Sequence, residues 1–461
     1  MRLVVVSNRV TQVSKTRPAA GGLAVGVHAA LAEHGGIWFG WSGDVAEEPK
    51  LKRHRQGDVT YVLTDLTSEE KAGFYSGFSN RTLWPLFHYR LDLASFSHEW
   101  YQVYRRVNQR FARELAPQLQ PDDIIWIQDY HLIPMATELR RLGVTNRIGF
   151  FLHIPYPAAQ IMVVLPWHRQ LAADFCAYDV VGFQTPTDLQ QFKDYVAREL
   201  SGDVDAATTI RALGRRLQAI ACPIGIDVDE MQALAAAVEA RSHVERMRSA
   251  LRRSALVVGV DRLDYSKGIP ERLRAFETLL RDYPEHHGQV SFLQISAPSR
   301  EEVPEYVLLR NEVEQLAGRI TGQYGEPDWL PLRYINRTHP RRALAGYFRY
   351  ARVGFVTPLR DGLNLVAQEY VAAQIEDNPG VLVLSRFAGA SAALEAAGAL
   401  IVNPYDVHDT AGALNRALVM SADERRDRHR GVLATIRHND ITAWRKRFLS
   451  YLDSGPIDGG G

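Results

Sequence analysis

Charged side chains follow short apolar runs at several points in this sequence, where a ligand could meet them. In VGVDRLDYSKGIPERL (258–273), Arg262 and Lys267 sit in a loop that leads through Gly268 into a helix. Two cations at that spacing, beside helix amides, suit a diphosphate leaving group. The loop is not a Walker A motif, which needs Gly-Lys-Ser/Thr after a longer glycine-rich loop. A capped loop with exposed basic residues is the plainer reading, but lysine is scarce in this chain. Of seven lysines, Lys267 is the only one between Lys193 and Lys446. A sequence that writes arginine almost everywhere has kept an ammonium group here. In TPLRDGLNLVAQEYVAAQ (357–374), Asp361 precedes a helix expected to start near Asn364. Glu369 then lies roughly a turn and a half into that helix. Backbone N–H groups of Leu363 to Val366 could meet an anion, and carboxylates suit paired hydroxyls of a sugar or ribose. An acidic residue at a helix start is also an ordinary cap.

The first half carries a second set. SNRV (7–10) puts Arg9 directly after an apolar strand, where a surface salt bridge is the alternative. Gly21 and Gly22, in RPAAGGLAVGV (17–27), precede a helix whose amides could hold an anion, although a Gly-Gly pair alone reads more simply as a turn. WIQDYH (126–131) and FFLHIPYP (150–157) place Asp129 and His153 at the ends of apolar strands. The prolines after His153 bar helix continuation. YSGFSNRTLWPLFHYR (75–90) mixes Tyr75, Trp84, Phe87, His88 and Tyr89 with polar residues and lacks clean helical or strand periodicity. Aromatic faces beside hydrogen-bonding groups suit sugar rings; core packing of a long loop is the competing account. SAPSR (296–300) adds Arg300 on another strand rim.

These positions require strands that end together. Apolar runs alternate with amphipathic stretches throughout, the signature of parallel sheets with crossover helices. RLVVVS, GIWFGW, VTYVL, DIIWIQ, RIGFFL and DVVGF form one series; ALVVGV, VSFLQIS, RVGFVT, GVLVLS and ALIVN form another after CPIGIDVDE (222–230). The expected fold is α/β, two Rossmann-like doubly wound domains over 1–225 and 226–437, facing an interdomain cleft. The stretch 438–453 reads as a helix that packs back on the first domain. The chain has 461 residues, with 54 Lys+Arg against 53 Asp+Glu, hence a net charge of +1. That balance gives no footprint for nucleic acid. No apolar run approaches the ~18–20 residues of a membrane span, and the start lacks the apolar core of a signal peptide. Cys176 and Cys222 are the only cysteines, which excludes a disulfide scaffold. A cytoplasmic enzyme that forms a homo-oligomer is expected.

In order, GGLAVG, WFGWSG, FSNRTLWPLFHYR, GFFLHIP, RLDYSKGIPER and TPLRDGLNLVAQEYVAAQ resemble the trehalose-6-phosphate synthase family. Those enzymes are retaining glycosyltransferases of the two-lobed glycosyltransferase-B type. The resemblance implies transfer of glucose from a nucleotide sugar, with UDP-glucose expected, to glucose 6-phosphate. It assigns Arg9 and Arg300 to the acceptor phosphate, and Tyr75, Trp84 and Asp129 to the acceptor. Gly21 and Gly22 would close over the donor, His153 touch the donor glucose, and Arg262 and Lys267 hold the diphosphate. Asp361 would hold glucose hydroxyls, Leu365 and Val366 line the diphosphate and ribose, and Glu369 hold the ribose. Two residues depart from the family pattern: Gln128 stands where histidine is common, and His339 where an aromatic residue lies near the base. The resemblance implies no cofactor and no metal, in keeping with the lack of an Asp-x-Asp diphosphate-metal motif. A pseudo-glycosyltransferase joining an activated cyclitol to an amino-cyclitol phosphate would look much the same. A non-catalytic sugar-phosphate sensor fits less well, since Arg262, Lys267, Asp361 and Glu369 are all present. A nucleotide-sugar epimerase would not need both Arg9 and Arg300.

Overall fold

A computed structural model describes residues 2–10, 22–205, 208–251 and 254–454. The chain divides into two compact units, Met1–Ile224 with Thr442–Gly461, and Gly225–Ile441. In the first unit the strands are β1 (Leu3–Arg9), β2 (Gly36–Val45), β3 (Lys52–Gln56), β4 (Val59–Leu66), β5 (Ile124–Gln128), β6 (Arg147–Phe151), β7 (Val180–Phe183), β8 (Asp203–Val204), β9 (Thr209–Ala212) and β10 (Arg215–Ala221). They form one sheet in the order β3-β4-β2-β1-β5-β6-β7-β10-β9-β8. The central strands are parallel and almost wholly buried, as helices on both faces require. Chain order reverses between β1 and β5, so Arg9 at the end of β1 and Asp129 just after β5 sit at the switch point, where doubly wound sheets bind ligands.

The second unit contains β11 (Ala255–Arg262), β12 (Val290–Ala297), β13 (Leu332–Ile335), β14 (Val353–Val356), β15 (Val381–Ser385) and β16 (Leu400–Val402). Their order is β13-β12-β11-β14-β15-β16, every pairing parallel. Here the reversal falls between β11 and β14. Arg262 ends β11, and the loops that follow those strands carry Lys267 and Asp361.

Every apolar run singled out in the sequence is a strand. The strands without such a run lie towards sheet edges: β3 reads KRHRQ and is exposed along its whole length, and β13 is mostly half-buried. Such strands need no continuous apolar face. The aromatic stretch from residue 75 is not a long loop. Lys71–Leu83 forms a wide π-helical run, with the Trp84 N–H donating to the Ser79 carbonyl five residues back. An i→i+5 ladder has a different period from an α-helix, which is why no helical pattern showed. Among the described residues, no helix is long and apolar enough to cross a membrane.

The last helix, Ile441–Ser454, belongs to the first unit from Thr442 onward. Its Trp444 and Phe448 rings lie 4.9 and 5.0 Å from that of Trp126 on β5. Glycine is required beside it: a Cβ on Gly149 of β6 or Gly182 of β7 would come within 2.9 Å of the Phe448 ring. Phe448 is fully buried, so Phe448→Ala should cost about 3–5 kcal/mol. Urea unfolding should show a lowered midpoint; an unchanged midpoint would mean the helix contributes no packing energy.

Candidate active site

In the first unit Arg9 ends β1 exposed, its guanidinium 5.9 Å from the Trp41 ring centroid. From Trp41 a run of ring contacts passes through Tyr75 (5.5 Å), His131 (5.9 Å), Tyr130 (3.9 Å) and Trp84 (5.7 Å). The structure thus joins Arg9, Tyr75 and Trp84 through Trp41, Tyr130 and His131, which the sequence reading had not singled out. Their signal was position: Trp41 lies in WFGWSG within β2, and Tyr130 and His131 come just after β5. Trp84 is buried and stays inside the aromatic run, whereas Tyr75 is half-buried.

Asp129 and His153 meet directly. The Asp129 Oδ1 accepts the His153 backbone N–H at 3.1 Å, and the Asp129 N–H donates to the Phe151 carbonyl at 2.8 Å. This places the turn after β5 against the end of β6. The His153 ring lies between two glutamines, Nε2 at 2.9 Å from Gln128 Oε1 and Nδ1 at 3.3 Å from Gln184 Nε2. Burial pushes its pKa down to about 3, so the imidazole is neutral at physiological pH.

In the second unit the two switch-point loops interlock. Gly268 adopts φ +62°, and a side chain there would strike the Thr357 carbonyl; only glycine combines that conformation with so close an approach. The Leu359 N–H donates to the Ser266 carbonyl at 2.8 Å. Lys267 Nζ then reaches Asp361 Oδ2 at 2.6 Å, and Asn364 Nδ2 donates to the same oxygen at 2.9 Å. Asn364 also caps the helix Leu365–Ala373, its side chain accepting the Ala367 N–H at 3.2 Å. Leu365 and Val366 occupy the first positions of that helix, whose N–H groups have no intrahelical acceptor and carry the positive end of its dipole.

Arg262 is exposed at the end of β11. The Arg300 side chain is only 5% exposed: its Nη1 donates to Asp264 Oδ2 at 3.2 Å and to the Tyr306 hydroxyl. Burial alone would raise the Asp264 pKa, but Arg300 first, then Arg262 and Lys267, hold it well below the usual carboxylate range. Glu369 behaves oppositely. Burial pushes its pKa up to about 7 against the pull of Arg341, whose Nε lies 3.8 Å away, with Glu230 adding repulsion. His339 is half-buried after β13, its ring 6.0 Å from that of Tyr347. Burial first, then Arg337 and His243, lower its pKa.

Arg9 and Arg300, both expected at the acceptor phosphate, belong to different units. Gly21 lies outside the described residues, and Gly22 opens the helix Gly22–His34. Asp129 (φ +72°), Arg300 (φ +49°) and Asn364 (φ +80°) are three of only six non-glycine residues with positive φ among those described. Strain of that kind collects where function needs a fixed geometry. No group of three His, Cys, Asp or Glu side chains suited to a metal occurs among the described residues.

The model of glycosyltransferase family 20 matches residues 2–454. The chain belongs to glycosyltransferase family 20. The trehalose-6-phosphate synthase of Sinorhizobium fredii is 48% identical over 456 residues, covering 98% of each chain. An α,α-trehalose-phosphate synthase (UDP-forming) from Burkholderia xenovorans, solved in complex with glucose-6-phosphate, superposes with a TM-score of 0.95. It is 50% identical and covers 98% of this chain and 100% of its own. The Escherichia coli protein bound with UDP-2-fluoro glucose gives a TM-score of 0.94 at 47% identity, with 99% and 100% coverage. The two parallel-sheet units are thus those of a glycosyltransferase-B enzyme.

The raised pKa of Glu369 has a testable sign. The folded state keeps a proton that the unfolded chain gives up near pH 4.5, so the group's stabilising effect is full below that value. It is lost as pH rises through about 7. Glu369→Gln, which cannot ionise, should gain stability relative to the parent between pH 5 and pH 8. Urea midpoints at the two pH values decide it; a difference independent of pH overturns the assignment.

Proposed function

We propose that this chain transfers glucose from UDP-glucose to glucose 6-phosphate, with retention, forming α,α-trehalose 6-phosphate and UDP. The observation that carries the reading is the Lys267–Asp361 pair at 2.6 Å beside the capped helix Leu365–Ala373. The two interlocked loops there offer an ammonium and helix amides to a diphosphate, and a carboxylate to sugar hydroxyls. Similarity near 50% to proteins solved with glucose-6-phosphate and with UDP-2-fluoro glucose supports the same substrates here. Arg262 shares the diphosphate with Lys267, and the amides of Leu365 and Val366 receive it. Glu369 takes the ribose hydroxyls. Arg9, exposed beside Trp41, reads the acceptor phosphate, with Tyr75 and Asp129 on the acceptor hydroxyls.

Retention in glycosidases uses a carboxylate nucleophile about 5 Å from its acid/base partner. None of the three carboxylates here is suited to that. Asp129 accepts the His153 N–H, Asp361 is held by Lys267 and Asn364, and Glu369 carries a raised pKa. The acceptor hydroxyl therefore attacks the same face that the diphosphate leaves, through a short-lived oxocarbenium-like state. A departing phosphate oxygen takes the hydroxyl proton while Lys267, Arg262 and the helix amides stabilise the growing charge. Those groups supply the charge that a metal would otherwise provide.

Incubation with UDP-glucose and glucose 6-phosphate, with product mass and NMR, tests the reading. An inverted product, a covalent glucosyl adduct on a carboxylate, or loss of activity in chelator would overturn the mechanism. Lys267→Ala should cut kcat/KM about 10²–10³-fold, the scale of losing one electrostatic donor. Arg9→Ala should raise KM for glucose 6-phosphate roughly 10–150-fold, matching a hydrogen bond to a charged group. KM for UDP-glucose should stay near the parent value; if both rise together, Arg9 is not the acceptor clamp.

A further inference from the structure

The glutamines around His153 form a hydrogen-bond chain whose direction is set by a single backbone group. The Ile224 N–H can only donate, and it donates to Gln184 Oε1 at 3.0 Å. The other end of that side-chain amide must then be its NH2, which points at His153 Nδ1 at 3.3 Å. Nδ1 therefore accepts, and in a neutral imidazole the proton sits on Nε2. Nε2 lies 2.9 Å from Gln128 Oε1, so the third link runs the same way. Ile224 is the last residue of the first unit before the chain crosses into the second. Gln184 and Gln128 are both buried, and the Ile224 N–H fixes which way the Gln184 amide points.

We infer that Gln184 is a positioning residue: anchored on the Ile224 amide, it locks His153 as the neutral Nε2–H tautomer and keeps it from moving protons. Both ring nitrogens face glutamines, so under the proposed reaction His153 meets the donor glucose as a fixed, uncharged ring at the end of β6. Burial of the ring acts in the same direction, since it disfavours the imidazolium. Under the proposed reaction this leaves the acceptor proton to the departing diphosphate. The inference rests on that reading only for its catalytic consequence; the tautomer itself does not depend on the substrate.

The test is selective ¹⁵N-histidine NMR of the full chain, with the His153 signals assigned by their loss in His153→Gln. The parent should show Nδ1 as an acceptor-type nitrogen and Nε2 as protonated, unchanged from pH 5 to pH 8. Gln184→Glu keeps an acceptor for the Ile224 N–H but replaces the donor facing Nδ1 with an oxygen. Nδ1 should then carry a proton, and kcat should fall about 10–100-fold, by analogy with the hydrogen-bond partners that orient metal-bound histidines. KM for UDP-glucose should change less, and a new pH-dependent limb should enter kcat. Gln184→Met, which leaves Nδ1 without a donor, should give a mixture of tautomers in the same spectra. A protonated Nδ1 in the parent, or parental ring signals and kcat in Gln184→Glu, overturns the inference. Failure to form the disaccharide phosphate would overturn the proposed reaction while leaving the ring signals as they are.

Discussion

A buried guanidinium organises the switch point of the second unit. Arg272 is 1% exposed, and a charge so placed is costly unless every donor finds an acceptor. It donates to Asp261 on β11, to Gln294 on β12 at 3.0 Å, to Thr357 after β14 at 3.0 Å, and to the Lys267 carbonyl at 3.2 Å. Those partners come from two adjacent strands, from the residue that follows a third, and from the loop that bears the proposed diphosphate lysine. Removing any one would leave part of a buried cation unsatisfied, so loop positions are tied to the sheet register. Gly268 completes the arrangement by letting the two loops touch. The ammonium of Lys267 is held in place from behind, through its own backbone.

Around that fixed frame the charges are set against one another. Asp264 is kept ionised by Arg300, Arg262 and Lys267, and so gathers cations. Glu369, about a turn and a half past the cap, is pushed the other way by burial and by Glu230. The proposed diphosphate region therefore carries fixed positive charge, while the proposed ribose carboxylate sits near its titration point. Electrostatic catalysis depends on groups oriented before the charge develops. Here the ordering was completed during folding, by buried ion pairs and loop contacts.

Much of this was legible in the sequence. Strands covered on both faces read as unbroken apolar runs, and each such run lies where expected. The charged residues after β1, β5, β11 and β14 stood out because a strand ended just before them. What escaped had weaker local signals for physical reasons. β3 has no apolar side, the π-helical run has no α-helical period, and Gln184 looks like any polar residue after a strand until Ile224 and His153 come to it. Arg272 reads as one more arginine in an amphipathic helix; only tertiary packing makes it a buried one. Arg300 looked like a rim residue and is instead held inside by Asp264 and Tyr306.

The isolated lysine has the clearest connection between composition and chemistry. Fixed, enclosed duties in this unit fall to arginine: Arg272 uses its planar fork to span strands, and Arg300 holds Asp264 and Tyr306 through Nη1. A guanidinium is suited to fixed partners in fixed geometry. At position 267 the requirement differs. The group is only 11% exposed and already contacts Asp361, yet under the proposed reaction it must also serve a diphosphate whose charge grows during the step. A compact ammonium with rotatable donors can serve a carboxylate on one side and a phosphate on the other without reorienting a plane. On that argument Lys267 was kept because its partner changes in the course of the reaction, while the buried Arg272 keeps its own.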